Sequence, residues 1–403
     1  MPIRRSPLLP IFLIVVVDVL GLTIIMPLLP FYAEHFGASA AKVGMLVSTY
    51  ALCQLIAGPI LGQLSDRFGR KPLLMVSQMG TFVGFLILAF AHSLGWIFFS
   101  RALDGLTAGN LSLAQAYIAD VTEPKNRARA FGLIGVAFGL GFLIGPAISG
   151  YLAHYSYRYP IYVAAGLSAT SILATTLLLP WKTLLPYAQQ GERAPVRILS
   201  WKIFARYFRV EVLGQLLVEF FFFTFAFQTF MSGFALFAER RLLWHGHPFG
   251  VRQVGYVLAI SGAFGILLQG MGMGRLVKWL GERRLVTTGM LAAAAGYAVL
   301  AFTYSPWMLL PVIFLTGYGN GVLRPALTSL ITQHVAREEQ GAILGLNQSL
   351  VSIAQITAPL LAGALINKLL LAPWGLVAAA VSAAGFFLSV RMKTEPMQNG
   401  APQ

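Results

Sequence analysis

Apolar residues run along this chain in long blocks rather than in alternation, and each block is about as long as a bilayer is thick. A helix rises about 1.5 Å per residue, so about 20 apolar residues cross a hydrocarbon layer of roughly 30 Å. On that scale the pattern predicts twelve spanning helices, at 8–33, 43–64, 72–91, 95–118, 130–152, 160–180, 210–237, 252–274, 285–304, 306–332, 342–366 and 372–390. Polar residues gather in the short stretches between them, and an even number of spans puts both termini on one side. Of the 29 Lys and Arg, 21 fall in the two tails and in the loops on their side. Six fall on the other side, at Lys42, Arg158, Arg240, Arg241, Arg252 and Lys368, and Arg101 and Arg324 lie inside spans. Basic loops mark the cytoplasmic face, which makes both termini cytoplasmic. The expected fold is an all-α membrane protein.

Composition agrees with that pattern. The 403 residues are 57% hydrophobic and 11% charged, where a soluble domain averages about 25% charged. No polar stretch is long enough for a separate soluble domain. The net charge of +15 does not point to nucleic acid, because it is dispersed over short loops between apolar spans. Cys53 is alone in an apolar run and gives no disulfide. The run from Leu8 to Tyr32 holds Asp18 and ends in Pro27-Leu28-Leu29-Pro30, so it is expected to remain as a span and not to be cleaved as a signal peptide.

An internal repeat divides the chain. Gly62-x-Leu64 with Gly69-Arg70 returns as Gly274-x-Leu276 with Gly281 and Arg283, an offset of 212. Gly105 and Gly109 return as Gly317 and Gly321, and Gly145-Pro146 with Gly150 as Ala358-Pro359 with Gly363. The longest connection, Trp181 to Arg209, is basic and carries Pro186, Gly191 and Pro195. The expected organisation is two six-helix halves, 1–180 and 210–403, joined by a cytoplasmic linker at 181–209.

The chemistry is concentrated in a few places. Between the second and third spans, Gly62-Gln63-Leu64-Ser65-Asp66-Arg67-Phe68-Gly69-Arg70-Lys71-Pro72 packs four ionised side chains into six residues. It is expected to be a tight, water-facing turn, with Gly62 and Gly69 permitting close approach and Pro72 opening the next helix. Asp18 stands about ten residues into the first span, roughly 15 Å deep. A lone carboxylate there costs at least ~2.5 kcal/mol, so it must find a partner, face water or carry a proton. Arg101 and Asp104 share one helical face. They form an ion pair within the helix, or Asp104 and Asp18 compete for Arg101 as protons come and go. Asp18 would otherwise be a satisfied polar anchor, and Glu219, similarly about ten residues into the seventh span, is a second protonation candidate. Arg324-Pro325 in the tenth span is open to three readings: it binds an anionic substrate group, balances Glu219, or has a structural role.

The loop from Gly62 to Pro72 resembles the signature G-x-L-x-D-R-x-G-R-[RK] of the major facilitator superfamily, with every specified position filled. Asp18 with Gly21, Pro27 and Pro30 resembles the first helix of the twelve-helix drug/proton antiporters, the tetracycline exporters among them. Arg101 with Gly105, and Asp120 after it, resembles a second family motif, although Asp104 stands where an uncharged residue is usual. Gly141, Gly145, Pro146 and Gly150 resemble the antiporter motif of the fifth helix, with Ser149 in place of the first glycine of its closing pair. Close helix packing alone accounts for such a glycine pattern in many membrane proteins.

The resemblance implies a monomeric transporter of a bacterial inner membrane. In it two halves rock about a central site, and inward protons drive export of a lipophilic or amphipathic small molecule. Protons are then the coupling ions and no cofactor is implied. A proton-coupled importer and a transporter-like receptor or lipid-handling protein stand as alternatives. The eleventh span starts on the same side as Asp66, and its N-terminus carries partial positive charge, so Asp66 is expected to dock there as a latch, near Ala342, in the outward-open state. Arg67, Arg70 or Lys71 is expected to pair with other cytoplasmic carboxylates, Asp120 being the one the family pattern implies. Lys278 replaces the aspartate in the second copy, so the latch is expected to be asymmetric. An enzyme is not expected. No nucleophile–base pair appears, no phosphate-binding loop is present, and His245-x-His247 lacks a third metal ligand nearby.

Overall fold

The computed structural model describes residues 8–122, 127–180, 207–335 and 339–391. The first group of helices is α1 (Leu8–His35), α2 (Ala40–Phe68), α3 (Arg70–Ala89), α4 (Leu94–Thr107), α5 (Asn110–Val121), α6 (Arg127–Ala153) and α7 (Arg158–Leu178). The second is α8 (Glu211–Arg241), α9 (Val251–Leu267), α10 (Met273–Ala301), α11 (Leu309–Gln333), α12 (Gln340–Asn367) and α13 (Leu371–Arg391). Eleven of the helical segments among the described residues are long and apolar enough to cross a membrane. Most of the expected 181–209 linker and the tail beyond Arg391 lie outside the described residues.

Helices run up and down between two ends. One end carries a two-stranded hairpin, β1 (Leu243–Trp244) with β2 (His247–Pro248), turned by His245 and Gly246. The chemistry of His245 and His247 is thus spent on an exposed turn. Exposed Tyr155, Trp244, Tyr304 and Trp307 cluster at this hairpin end, as expected where helices leave hydrocarbon. The opposite end carries Gly69 and Gly281.

Those two glycines are the turns. The expected 62–72 loop is almost wholly helical: α2 continues through Phe68, Gly69 alone reverses the chain, and α3 starts at Arg70. Gly69 has φ 98° and Gly281 has φ 73°, each with ψ near 155°, a conformation that only glycine takes without strain. The repeat read in the sequence is therefore a repeat of backbone conformation. The second copy is helical on both sides of Gly281, inside α10, where a loop was expected. Gly62 has open space around its α-carbon and makes no close approach.

The expected fourth span is broken in two. α4 stops at Thr107 and α5 starts at Asn110, with Ala108 at ψ 76°. Apolar periodicity runs through the break, so hydropathy does not reveal it. Ser77 of α3 holds the break together: its hydroxyl donates to the Thr107 carbonyl at 2.5 Å and accepts from the Gly109 N–H at 2.8 Å. Exposed backbone in hydrocarbon is costly, and such breaks persist where a side chain satisfies them. Ser77→Ala should therefore lower stability by about 1–3 kcal/mol, seen as a lower thermal unfolding midpoint in detergent. An unchanged midpoint would show that the break does not depend on Ser77.

Each group of helices packs chiefly on itself, and the two largest interfaces between the groups are α6 with α9, and α2 with α12. They are built alike. A Cβ on Gly44 would collide with the Pro359 carbonyl and stand 3.3 Å from the Gly363 Cα. A Cβ on Gly255 would collide with the Pro146 carbonyl and stand 3.0 Å from the Gly150 Cα. Both crossings lie toward the hairpin end. There Ser48 also donates to the Ile356 carbonyl at 2.7 Å, and Arg240 of α8 pairs with Glu34 of α1 at 2.5 Å.

Candidate functional site

A buried polar cluster forms where α1, α3, α4 and α7 meet. Asp18 of α1 is partly buried and meets the side chains of Gln78 on α3 and Ser171 on α7. Gln78 is fully buried, donates to Ser171 Oγ at 2.7 Å and leaves its own Oε1 without a partner in the structure. Asp18 has no ion pair among the described residues. Arg101 pairs with Asp104 at 3.1 Å within α4. It also reaches Ser100 Oγ at 3.2 Å and lies 5.6 Å from the centre of the Phe85 ring. The pair of Arg101 with Asp104 is common to both readings of Arg101. Asp104 remains within electrostatic reach of Asp18 and of Tyr50 on α2. Sequence reading missed Gln78 and Ser171, since each is a small polar residue in a span and only their convergence on Asp18 distinguishes them.

The glycines of α6 serve two neighbours. Gly141 and Gly145 admit Val19 and Thr23 of α1, and Thr23 donates to the Gly141 carbonyl at 2.9 Å. Pro146 and Gly150 lie against α9. One turn beyond Asp18 on α1, the backbone is therefore clamped to the helix that joins the two groups.

At the Gly69 end, Arg70 bridges Asp66 at 2.7 Å and Asp120 at 2.8 Å, and donates to Ser65 Oγ. Arg67 is exposed. Lys71, expected to face water, is 1% exposed and donates to the carbonyls of Thr176 and Leu179 at 2.8 and 2.6 Å. A cation there satisfies the unpaired carbonyls at the end of α7 and opposes the negative end of its dipole. The same device recurs 212 residues later, where Arg283 donates to the Ser389 carbonyl near the end of α13 at 2.6 Å. The partner of the bridge changes between copies: Glu282, at the place of Arg70, accepts from Ser329 at 2.7 Å and from Gln333 at 2.9 Å. Some of the surface expected to receive Asp66, around the start of α12, lies outside the residues whose side chains are described.

Glu219 is fully buried on α8 and pairs with Arg283 at 3.4 Å, with Gln215 donating to it at 3.2 Å. Arg324 does not balance it. The phenylalanines around Glu219 are all buried or partly buried; Phe223 stacks on Phe227, and Phe230 lies tilted against Tyr297. No group of three or more His, Cys, Asp or Glu is placed to hold a metal among the described residues.

The family model of the Major Facilitator Superfamily matches residues 11–302 and 242–402. Tetracycline resistance protein class G of Vibrio anguillarum is 34% identical over 88% of this chain and 89% of its own. Tetracycline resistance protein class C of Escherichia coli is 32% identical over 87% of each. Quinolone resistance protein NorA of Staphylococcus aureus is 27% identical over 88% of each. Among solved structures, the human organic anion transporter MFSD10 superposes with a TM-score of 0.72 at 23% identity, covering 96% of this chain and 100% of that one. The nucleoside transporter NupG does so with 0.77 at 14% identity, again over 96% and 100%. Both likenesses show the fold.

Proposed function

This chain belongs to the major facilitator superfamily and is a multi-pass membrane transporter, not an enzyme, and on that premise we propose that it exports a lipophilic or amphipathic small molecule in exchange for protons. The observation that carries the proposal is Asp18: a carboxyl roughly 15 Å into the first helix, held by an amide and a hydroxyl and paired with no cation among the described residues. Such a group must take up a proton or meet water, and a carrier that exposes it alternately to two sides can do both in turn.

In this reading α4 and α5 together make the fourth of twelve crossings. The halves are the two groups of helices, the molecule works as a monomer in a bacterial inner membrane, and both termini are cytoplasmic. The hairpin end then faces away from the cytoplasm. It is the end at which the paired glycine crossings and the Glu34–Arg240 bridge close the halves on each other. Rocking must break that closure and make another around Asp66, Arg70 and Asp120.

The curated relatives are named for resistance to tetracycline and to quinolones, which makes those two drug classes the first to try. The test uses everted membrane vesicles acidified inside by respiration and reported by a pH-sensitive dye. Adding an exported compound should discharge the gradient in vesicles with the chain and not in vesicles without it. Compound and protons moving in the same direction would make the chain an importer. No discharge by any member of a broad amphipathic panel would remove the proton-coupled reading.

A further inference from the structure

Ionised side chains within the helices of this protein mostly sit in pairs: Arg101 with Asp104, Arg283 with Glu219, and Arg240 with Glu34. Arg324 does not. Its side chain has no carboxylate, hydrogen-bond acceptor or ring partner among the described residues, yet it is exposed. It stands nine residues before the end of α11 at Gln333, roughly 13 Å in from the Gly69 end, close to the depth of Asp18 in the other half.

The direction of Arg324 follows from its neighbours on α11. Successive residues turn by about 100°. Gly319, Val322 and Leu323 face α10, against Gly289. Gly317 faces Phe264 of α9, and Gly321 faces Leu268 in the turn Leu268–Gly272 that follows that helix. Asn320 accepts from Tyr297 at 3.3 Å, and that ring lies 5.6 Å from Phe230 of α8. Arg324 comes four residues after Asn320 and three after Gly321, so it projects between α8 and α9, on the side turned to the first half. Exposed Pro325 lies about 100° away from it on the wheel. Leaving a guanidinium unpaired at this depth costs at least ~2.5 kcal/mol unless water or an anion reaches it.

We propose that Arg324 is the anion-binding group of the substrate site, so that the transported compounds carry a carboxylate, sulfonate or similar anion on an apolar body. The planar fork of arginine takes a carboxylate or sulfonate through two parallel hydrogen bonds. An apolar body would meet Phe264 and Leu268, which pack against Gly317 and Gly321 beside Arg324 on the same helix. The inference rests on the transport reading and narrows its substrate class. Pairing with Asp18 in another state of the cycle would use the same cation differently, and the test separates the two.

The test uses the full chain in lipid nanodiscs, with binding read from quenching of its tryptophans. The probes are 2-naphthoate, naphthalene-2-sulfonate, uncharged 2-naphthamide and cationic 2-naphthylmethylammonium. Both anions should bind more tightly than the amide. Arg324→Gln should weaken the anions about tenfold or more and change the amide by no more than about twofold. Arg324→Lys keeps the charge and loses the fork, so its anion affinity should fall between those of the parent and Arg324→Gln with the amide unchanged, which separates loss of charge from loss of fold. Anions that bind no better than the amide, or not at all, would overturn the proposal. So would an Arg324→Gln variant that binds the anions as the parent does. Equal weakening of all four probes would assign Arg324 to the coupling machinery instead. If the ammonium discharges the vesicle gradient while neither anion binds, export stands and this inference fails; Arg324-dependent anion binding without proton movement would give the reverse.

Discussion

Asp18→Asn should abolish proton-coupled export and leave the fold intact. Asparagine has nearly the shape of aspartate and can still meet Gln78 and Ser171, the two side chains that hold Asp18 in place. What it lacks is an exchangeable proton. If that proton couples the two flows, the variant should bind substrate and equilibrate it down a gradient, but fail to concentrate it against one. The expected loss is complete rather than graded, because Arg101 and Asp104 are occupied with each other at 3.1 Å and offer no substitute carboxyl free of a cation. Export of a compound against its gradient by Asp18→Asn at the parental rate would remove Asp18 from the mechanism.

The second large effect is steric. A side chain at Gly255 must displace the Pro146 carbonyl and the Gly150 Cα, both backbone of the first group of helices. Gly255→Val should therefore open the hairpin end. Overpacking of a close interface costs about 1–3 kcal/mol, which shifts a two-state ratio by roughly 5–150-fold. Gly44→Val should act in the same direction at the partner crossing, against Pro359 and Gly363. Gly58 has open space around it and lies on the same helix as Gly44, so Gly58→Val is the control. Spin labels at Ser39 and Lys368, at the hairpin ends of α2 and α12, should move apart in the two interface variants and stay in place in the control. An unchanged distance distribution in Gly255→Val and Gly44→Val would show that these crossings do not hold the end closed.

Much of this was legible in the residues, and the rest was hidden for physical reasons. Gly69 and Gly281 were legible because a reversal in one residue requires positive φ, and that requirement survives even where Lys278 replaces the aspartate of the first copy. The crossings through Pro146 and Pro359 were half legible. The glycines and prolines stood out, but Gly44 and Gly255 gained meaning only when they met the other group of helices. The break at Ala108 was invisible, since apolar residues continue across it and its support, Ser77, lies 32 residues away on another helix. Lys71 read as a solvated loop cation because its acceptors are helix-end carbonyls more than a hundred residues on. Glu219 and Arg283 belong to different spans 64 residues apart, and no pattern of spacing announces a pair of that kind. Charge in a membrane protein tells where something must be satisfied, and leaves open by what.

The central claim is that substrate and proton compete through Asp18. Its most direct measurement is proton release from the purified protein in weakly buffered detergent solution, followed with a pH indicator as the compound that discharges the vesicle gradient is added. The parent should release protons as substrate saturates it, with the release fading at a pH high enough to strip the carboxyl beforehand. Asp18→Asn should bind the same compound and release none. Substrate binding by the parent with no proton release, or equal release by Asp18→Asn, would contradict the account.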